Sequence, residues 1–185
     1  PNWESMQDSS NELPHNYTCP QAYRTPIPEE YYPTRYVGAR AADWIREQAD
    51  SVDPFFAYVS FPDPHHPFNP PGKYWNMYDP DDFEVALPYE RHQNPTPPMQ
   101  WMDDQWRQGK IPSVKTTARR VGDQELREAM ALTAGMITMV DDEVGRLIEV
   151  LKQTDQFENT VICFNSDHGD YLGDFSLLLK GALPF

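Results

Sequence analysis

The stretch TVICFNSDHGDYLGD, Thr160 to Asp174, decides how the rest of the chain reads. Thr160 to Phe164 is short and apolar, which predicts a buried strand. It stops at Asn165-Ser166 and is followed at once by Asp167, His168, Gly169 and Asp170. Open α/β sheets hold their ligands just beyond the carboxyl ends of the strands, so carboxylates and an imidazole at such a tip mark a candidate site. Upstream, Leu126, Met130, Leu132, Met136, Ile137, Val140, Val144, Leu147, Ile148 and Leu151 recur at helical spacing, predicting a long helix from about Asp123 to Thr154. Gly135 and Gly145 interrupt it at about 1 kcal/mol each relative to alanine, so close packing or a kink is expected there. Further back, FFAYVSF (Phe55 to Phe61) predicts a second buried strand, ending in Pro62-Asp63-Pro64-His65-His66-Pro67-Phe68. A helix with Thr34 as N-cap and Val37, Ala41, Trp44, Ile45 and Ala49 on one face precedes it, running to about Asp50. Helix, strand, long loop, helix, strand predicts an α/β fold with its strands paired in parallel, and both polar tips on one sheet edge.

The 185 residues carry 15 Lys+Arg against 29 Asp+Glu, a formal charge of −14. That balance leaves no electrostatic footprint for a nucleic-acid backbone, so nucleic acid is excluded as a partner while a small anion in a local pocket is not. No run reaches the roughly 18 apolar residues of a membrane span. Cys19 and Cys163 show no metal-ligand or CxxC spacing, and Cys163 reads as a buried small hydrophobe. The 19 prolines gather mostly in 14–33 and 54–112. Residues 1–33 read as irregular. The organisation expected is helix and strand over 34–61, a Pro- and aromatic-rich loop over 62–112 broken by short helical turns near 71–77 and 99–108, and helix, strand and polar loop over 113–181. A loop that long inside a compact domain is expected to be functional or to cover something.

Asp167 and His168 are of the right types for a metal site, with Gly169 allowing a sharp turn. Two ligands are too few, and other segments must supply the rest. The residues alone leave a second reading open, an Asx-turn beside an exposed histidine. His65 and His66 lie between Pro64 and Pro67, which fix the backbone and lower the entropy of placing an imidazole. Such an imidazole can donate a proton to a leaving group or bind an oxyanion, or simply sit on the surface. Lys180, after Leu177-Leu178-Leu179, reads either as an anion clamp or as a solvated cation.

The segments FFAYVSFPDPHHPFNPP, MITMVDDEVGRLIEVLKQ, NTVICFNSDHGDYLGD and LLLKG, in this order and at this spacing, resemble the middle of a sulfatase. The resemblance covers about Ala41 to Gly181. That family belongs to the alkaline-phosphatase superfamily, with phosphonate monoester hydrolases as close relatives. The resemblance implies part of a doubly wound, mostly parallel sheet of alkaline-phosphatase-like type, incomplete in this chain because two strands cannot cover a long apolar helix. It implies that Asp167 and His168 are divalent-metal ligands, that His65 contacts the sulfate and its leaving oxygen, and that Lys180 binds the same anion. One divalent ion is implied, Ca²⁺ first, with Mn²⁺ or Zn²⁺ as alternatives.

Two departures from the family pattern stand out. Gly173-Asp174-Phe175-Ser176 replaces the frequent Gly-Asp/Glu-His-Gly, so the role of that histidine is absent. The Cys/Ser-x-Pro/Ala-x-Arg motif that becomes formylglycine is also absent; Cys19-Pro20-Gln21-Ala22-Tyr23-Arg24 puts the proline at the wrong offset and the arginine one place late. Formylglycine and the N-terminal Asp pair that completes the metal site are expected upstream. The chain therefore reads as an internal fragment of a sulfatase-type hydrolase, inactive and weakly ion-binding alone, requiring the rest of the same polypeptide. Its expected substrate is a small sulfate ester. The alternatives are a phosphonate or phosphate ester hydrolase and a non-catalytic binding domain that lost the nucleophile. The loop from Phe68 to Trp106 is expected to wall the site, with Trp101 and Trp106 setting specificity.

Overall fold

Helix α1, Pro33–Glu47, starts one residue before the expected cap: Tyr32 is the N-cap and Pro33 occupies the first turn. The fixed φ of proline suits that position and its missing N–H costs nothing there. Thr34 is instead fully buried, with its hydroxyl bonded to the Asp63 carboxylate. The computed structural model describes residues 9–110 and 118–181. The start of the expected irregular N-terminal region, the close of the Pro-rich loop at 111–112 and residues 113–117 lie outside the described residues. No described helix is long and apolar enough to cross a membrane. The described residues form two compact units.

The first unit takes in 9–15, Tyr23–Met77 and Leu132–Asn165. It holds α1 and most of α3, Asp123–Gln153. Ala42 and Ile45 of α1 pack with Val150 and Leu151 of α3, joined by Phe55, Leu147 and Phe157. The buried face of α1 is Thr34, Gly38, Ala42 and Ile45, one position away from the expected Val37-Ala41-Trp44 stripe. The reason is Glu143, whose side chain is 1% exposed. Arg35 Nη1 donates to both its oxygens at 2.9 and 3.0 Å, and Arg146 Nε donates at 3.1 Å. A Cβ on Gly38 would run into that carboxylate, so α1 approaches α3 along its smallest residues. Gly135 answers a similar need, since a Cβ there would meet the Tyr74 carbonyl, whereas Gly145 faces open space. Ile137, expected in the core, is exposed, and Met139 takes the buried place beside Tyr32 and Tyr74.

The two expected buried strands differ most from the sequence reading. Residues 55–61 and 160–165 have no strand partner among the described residues. Phe55 reaches the helices and meets Trp44 edge-to-face at 5.4 Å, but Phe56 is 87% exposed, Tyr58 80%, Val161 91% and Phe164 77%. Cys163, expected to be buried, is exposed. A strand is buried by its neighbours, and the described residues supply none.

The second unit takes in Asn16–Ala22, 78–110, 118–131 and 166–181. Its sheet is two short strands, β1 (Arg119–Arg120) and β2 (Leu177–Leu178), paired antiparallel with Arg119 opposite Leu178. This is the only sheet among the described residues, and it involves neither of the two expected strands, whose parallel pairing the described residues do not show. Helix α2, Pro97–Arg107, replaces the short turn expected near 99–108, and Gly72–Asn76 forms the other turn, in the first unit. Met99 and Met102 of α2 pack with Ala118, Tyr171 and Leu177. Arg120 lies between the rings of Tyr89 and Trp106, at 4.4 and 4.3 Å, and pairs with Asp103 and Glu90. At the start of α3 the buried Glu128 accepts the Thr18 and Cys19 backbone N–H groups, both at 2.7 Å. Burial beside Glu128 and Glu125 raises the Cys19 thiol well above its ordinary range, which leaves it a packed, unreactive thiol.

Candidate active site

In the second unit, Asp167 and His168 follow the extended segment and stand exposed. The His168 backbone N–H donates to Asp167 Oδ1 at 2.9 Å, and Ser166 Oγ donates to the His168 carbonyl at 2.9 Å. His168 Nδ1 lies 2.8 Å from the Gly169 carbonyl. A carbonyl only accepts, so Nδ1 carries the proton and the neutral ring keeps its lone pair on Nε2. That Nε2 is 3.5 Å from Asp167 Oδ2. Two lone-pair donors face each other at a spacing that one bound cation bridges. Asp167 is held below the usual carboxylate range, first by the His168 backbone N–H, with the charge of Lys180 adding to it. The chain thus brings Asp167, His168 and the Lys180 ammonium within electrostatic reach. Lys180 is half-buried, and its carbonyl accepts the Ala118 N–H at 3.0 Å, fixing it one step beyond β2. No third carboxylate, histidine or cysteine joins the pair among the described residues. The donor types and spacing fit a divalent cation, and the set is incomplete.

His65 belongs to the first unit. Its Nδ1 lies 2.6 Å from the His66 carbonyl, and its ring stacks on the buried His66 ring at 4.1 Å. The same tautomer argument puts the proton on Nδ1 and leaves the lone pair on Nε2 of an exposed residue. The prolines on either side are both joined by cis peptides, Asp63–Pro64 and His66–Pro67.

Sequence reasoning passed over the support of this loop. Asp63 is bonded by the hydroxyls of Tyr32 and Thr34, and Tyr32 also reaches Asn69. A carboxylate wedged between two prolines at a strand end was the available signal. Burial pushes Asp63 up to about 6, against the two hydrogen bonds that lower it, and burial beside Asp63 raises the Tyr32 phenol. The folded state therefore holds the Asp63 proton more tightly than the unfolded chain. The stability this contributes is complete below about pH 4 and is lost as pH rises through about 6. Asp63→Asn should remove that part of the slope, which urea titrations of the full-length polypeptide between pH 4 and 7 would read.

The sulfatase family model matches residues 2–183, and the chain belongs to the sulfatase family, within the alkaline-phosphatase superfamily. An arylsulfatase of Clostridium perfringens is 30% identical over 157 residues, covering 85% of this chain and 30% of that protein. The multifunctional alkaline phosphatase superfamily protein PehA of Trinickia caryophylli is 31% identical over 161 residues, covering 83% of this chain and 30% of that protein. The crystal structure of the phosphonate monoester hydrolase of Agrobacterium radiobacter superposes with a TM-score of 0.68 at 24% identity, over 96% of this chain and 35% of that one. The chain thus spans about a third of the length of the relatives it matches.

Proposed function

We propose that the polypeptide carrying this chain hydrolyses a small sulfate ester, with Asp167 and His168 holding part of a divalent-metal site and His65 and Lys180 serving the anion. The observation that supports this reading most is the facing pair of donors, His168 Nε2 and Asp167 Oδ2, with the Lys180 charge beside them. A bound divalent ion would supply charge neutralisation at the ester oxygens. Lys180 adds a second cation for the anion as the sulfur–oxygen bond breaks. His65, protonated, carries Nε2–H while the His66 carbonyl holds Nδ1–H, so it can protonate the departing alcohol oxygen. Ca²⁺ is the ion we expect, with Mn²⁺ or Zn²⁺ as the alternatives. Formylglycine, absent from this sequence, is the expected nucleophile.

A phosphonate or phosphate ester is the second reading, which the likeness in fold to a phosphonate monoester hydrolase fits. The deciding assay uses the full-length polypeptide, purified with its metal content measured. Turnover of 4-nitrophenyl sulfate above that of phenyl 4-nitrophenylphosphonate and 4-nitrophenyl phosphate supports the sulfate reading. The reverse order favours the second, and no turnover of any with metal bound favours a binding domain.

The two tryptophans expected to set specificity separate in the structure. Trp106 is half of the aromatic bracket on Arg120, while Trp101 stands 57% exposed on α2. Trp106→Ala should lower stability by about 1–2 kcal/mol through the lost cation–π contact and packing. Trp101→Ala should leave stability within about 0.5 kcal/mol and shift relative kcat/KM across a panel of sulfate esters. Equal effects on all esters would remove Trp101 from specificity.

A further inference from the structure

We propose that Tyr32 is a positioning residue for His65, clamping both ends of the loop that carries it. The phenol of Tyr32 is 2% exposed and lies 3.1 Å from Asp63 Oδ1 and 3.0 Å from Asn69 Oδ1. Asp63 begins the loop and the buried Asn69 ends it, with His65 and His66 between them. The hydroxyl has one proton, shared between Asp63 Oδ1 and Asn69 Oδ1, so it lies between the two ends and joins both to the N-cap of α1. Thr34 secures the second oxygen of Asp63 from the first turn of the same helix, and the Tyr23 N–H holds the Phe68 carbonyl at 3.1 Å. Inside this frame the chain turns, with the His65 N–H on the Pro62 carbonyl at 3.1 Å. His65 then rests its ring on His66 and its Nδ1 on the His66 carbonyl. The orientation of the ring, and with it the placing of Nε2, rests on that carbonyl, and the carbonyl rests on the loop ends. The burial that keeps the Asp63 proton until about pH 6 is the same burial that keeps water from replacing these bonds.

The proposal rests on His65 being the residue that meets the leaving group, and the test separates the two. In the full-length polypeptide, Tyr32→Phe is compared with His65→Ala on 4-nitrophenyl sulfate and on an alkyl sulfate, whose poorer leaving group needs the proton more. Misplacement by about 1 Å costs on the order of 10²-fold. Tyr32→Phe should therefore lower kcat on the alkyl sulfate about 10- to 100-fold and on the nitrophenyl ester much less, in the pattern of His65→Ala. A drop equal on both esters, or none, overturns the clamp. Should His65→Ala itself show no leaving-group dependence, the reading of His65 fails. The clamp is then judged by ¹⁵N NMR of the His65 ring: it stands if Tyr32→Phe shifts the Nδ1 and Nε2 resonances and falls if they stay. Asn69→Ala cuts one end only and should give a smaller change of the same kind; a larger one would place the control at Asn69.

Discussion

Asp167→Ala in the full-length polypeptide should strip the bound divalent ion and lower turnover of a sulfate ester by about 10³-fold or more. A metal-bound oxyanion gains several kcal/mol of transition-state stabilisation, and each 1.36 kcal/mol is tenfold in rate. Asp167 and His168 face each other across 3.5 Å, so His168→Ala should act on the same ion. The double variant should then lose little beyond the worse single one, as residues working as a unit do. The check is metal content by elemental analysis beside kcat. Variants that keep both ion and rate would put the metal elsewhere. Lys180→Ala should leave the metal content unchanged and cost about 10²- to 10³-fold, the usual loss of one oxyanion partner.

The second large effect concerns stability. Arg35→Ala should destabilise the full-length polypeptide by about 3 kcal/mol, because it strands the buried Glu143 carboxylate with a single partner. Arg146→Ala should cost less, since Arg146 is the more exposed partner, at 42% against 28% for Arg35, and its hydrogen bonds to Glu143 are longer. Replacing Arg35 and Glu143 together by apolar residues of similar volume should recover much of the loss. Urea titrations of the three variants test this ranking, and a near-zero effect of Arg35→Ala would deny the pair a structural role.

What the sequence showed and what it hid follow one rule. Helical periodicity located α1 and α3, and the Met/Leu stripe did pack at Leu126, Leu132, Met136 and Leu151. It placed Ile45 inside but not Thr34, Gly38 and Ala42, because the decision lies in a charged residue of the other helix: the buried Glu143 carboxylate is the anchor that the small side of α1 closes over. Asp167, His168 and Lys180 could be singled out as a candidate group because they lie close in the chain. Tyr32, Asp63 and Asn69 could not, since their contact depends on a loop returning to a helix start. Residues 55–61 and 160–165 read as buried from apolar composition alone, which reports what a segment needs and not whether its neighbours are present.

Those two open segments bear on the order of events during synthesis. The α1–α3 contact and the β1–β2 ladder are both formed within this chain. The rows bearing Phe56, Tyr58, Val161 and Phe164 must wait for pairing from outside the described residues. Until then they are sticky, aromatic edges of the kind that recruits other nascent chains. Chaperone dependence and yield of the chain should therefore follow the exposure of these two segments.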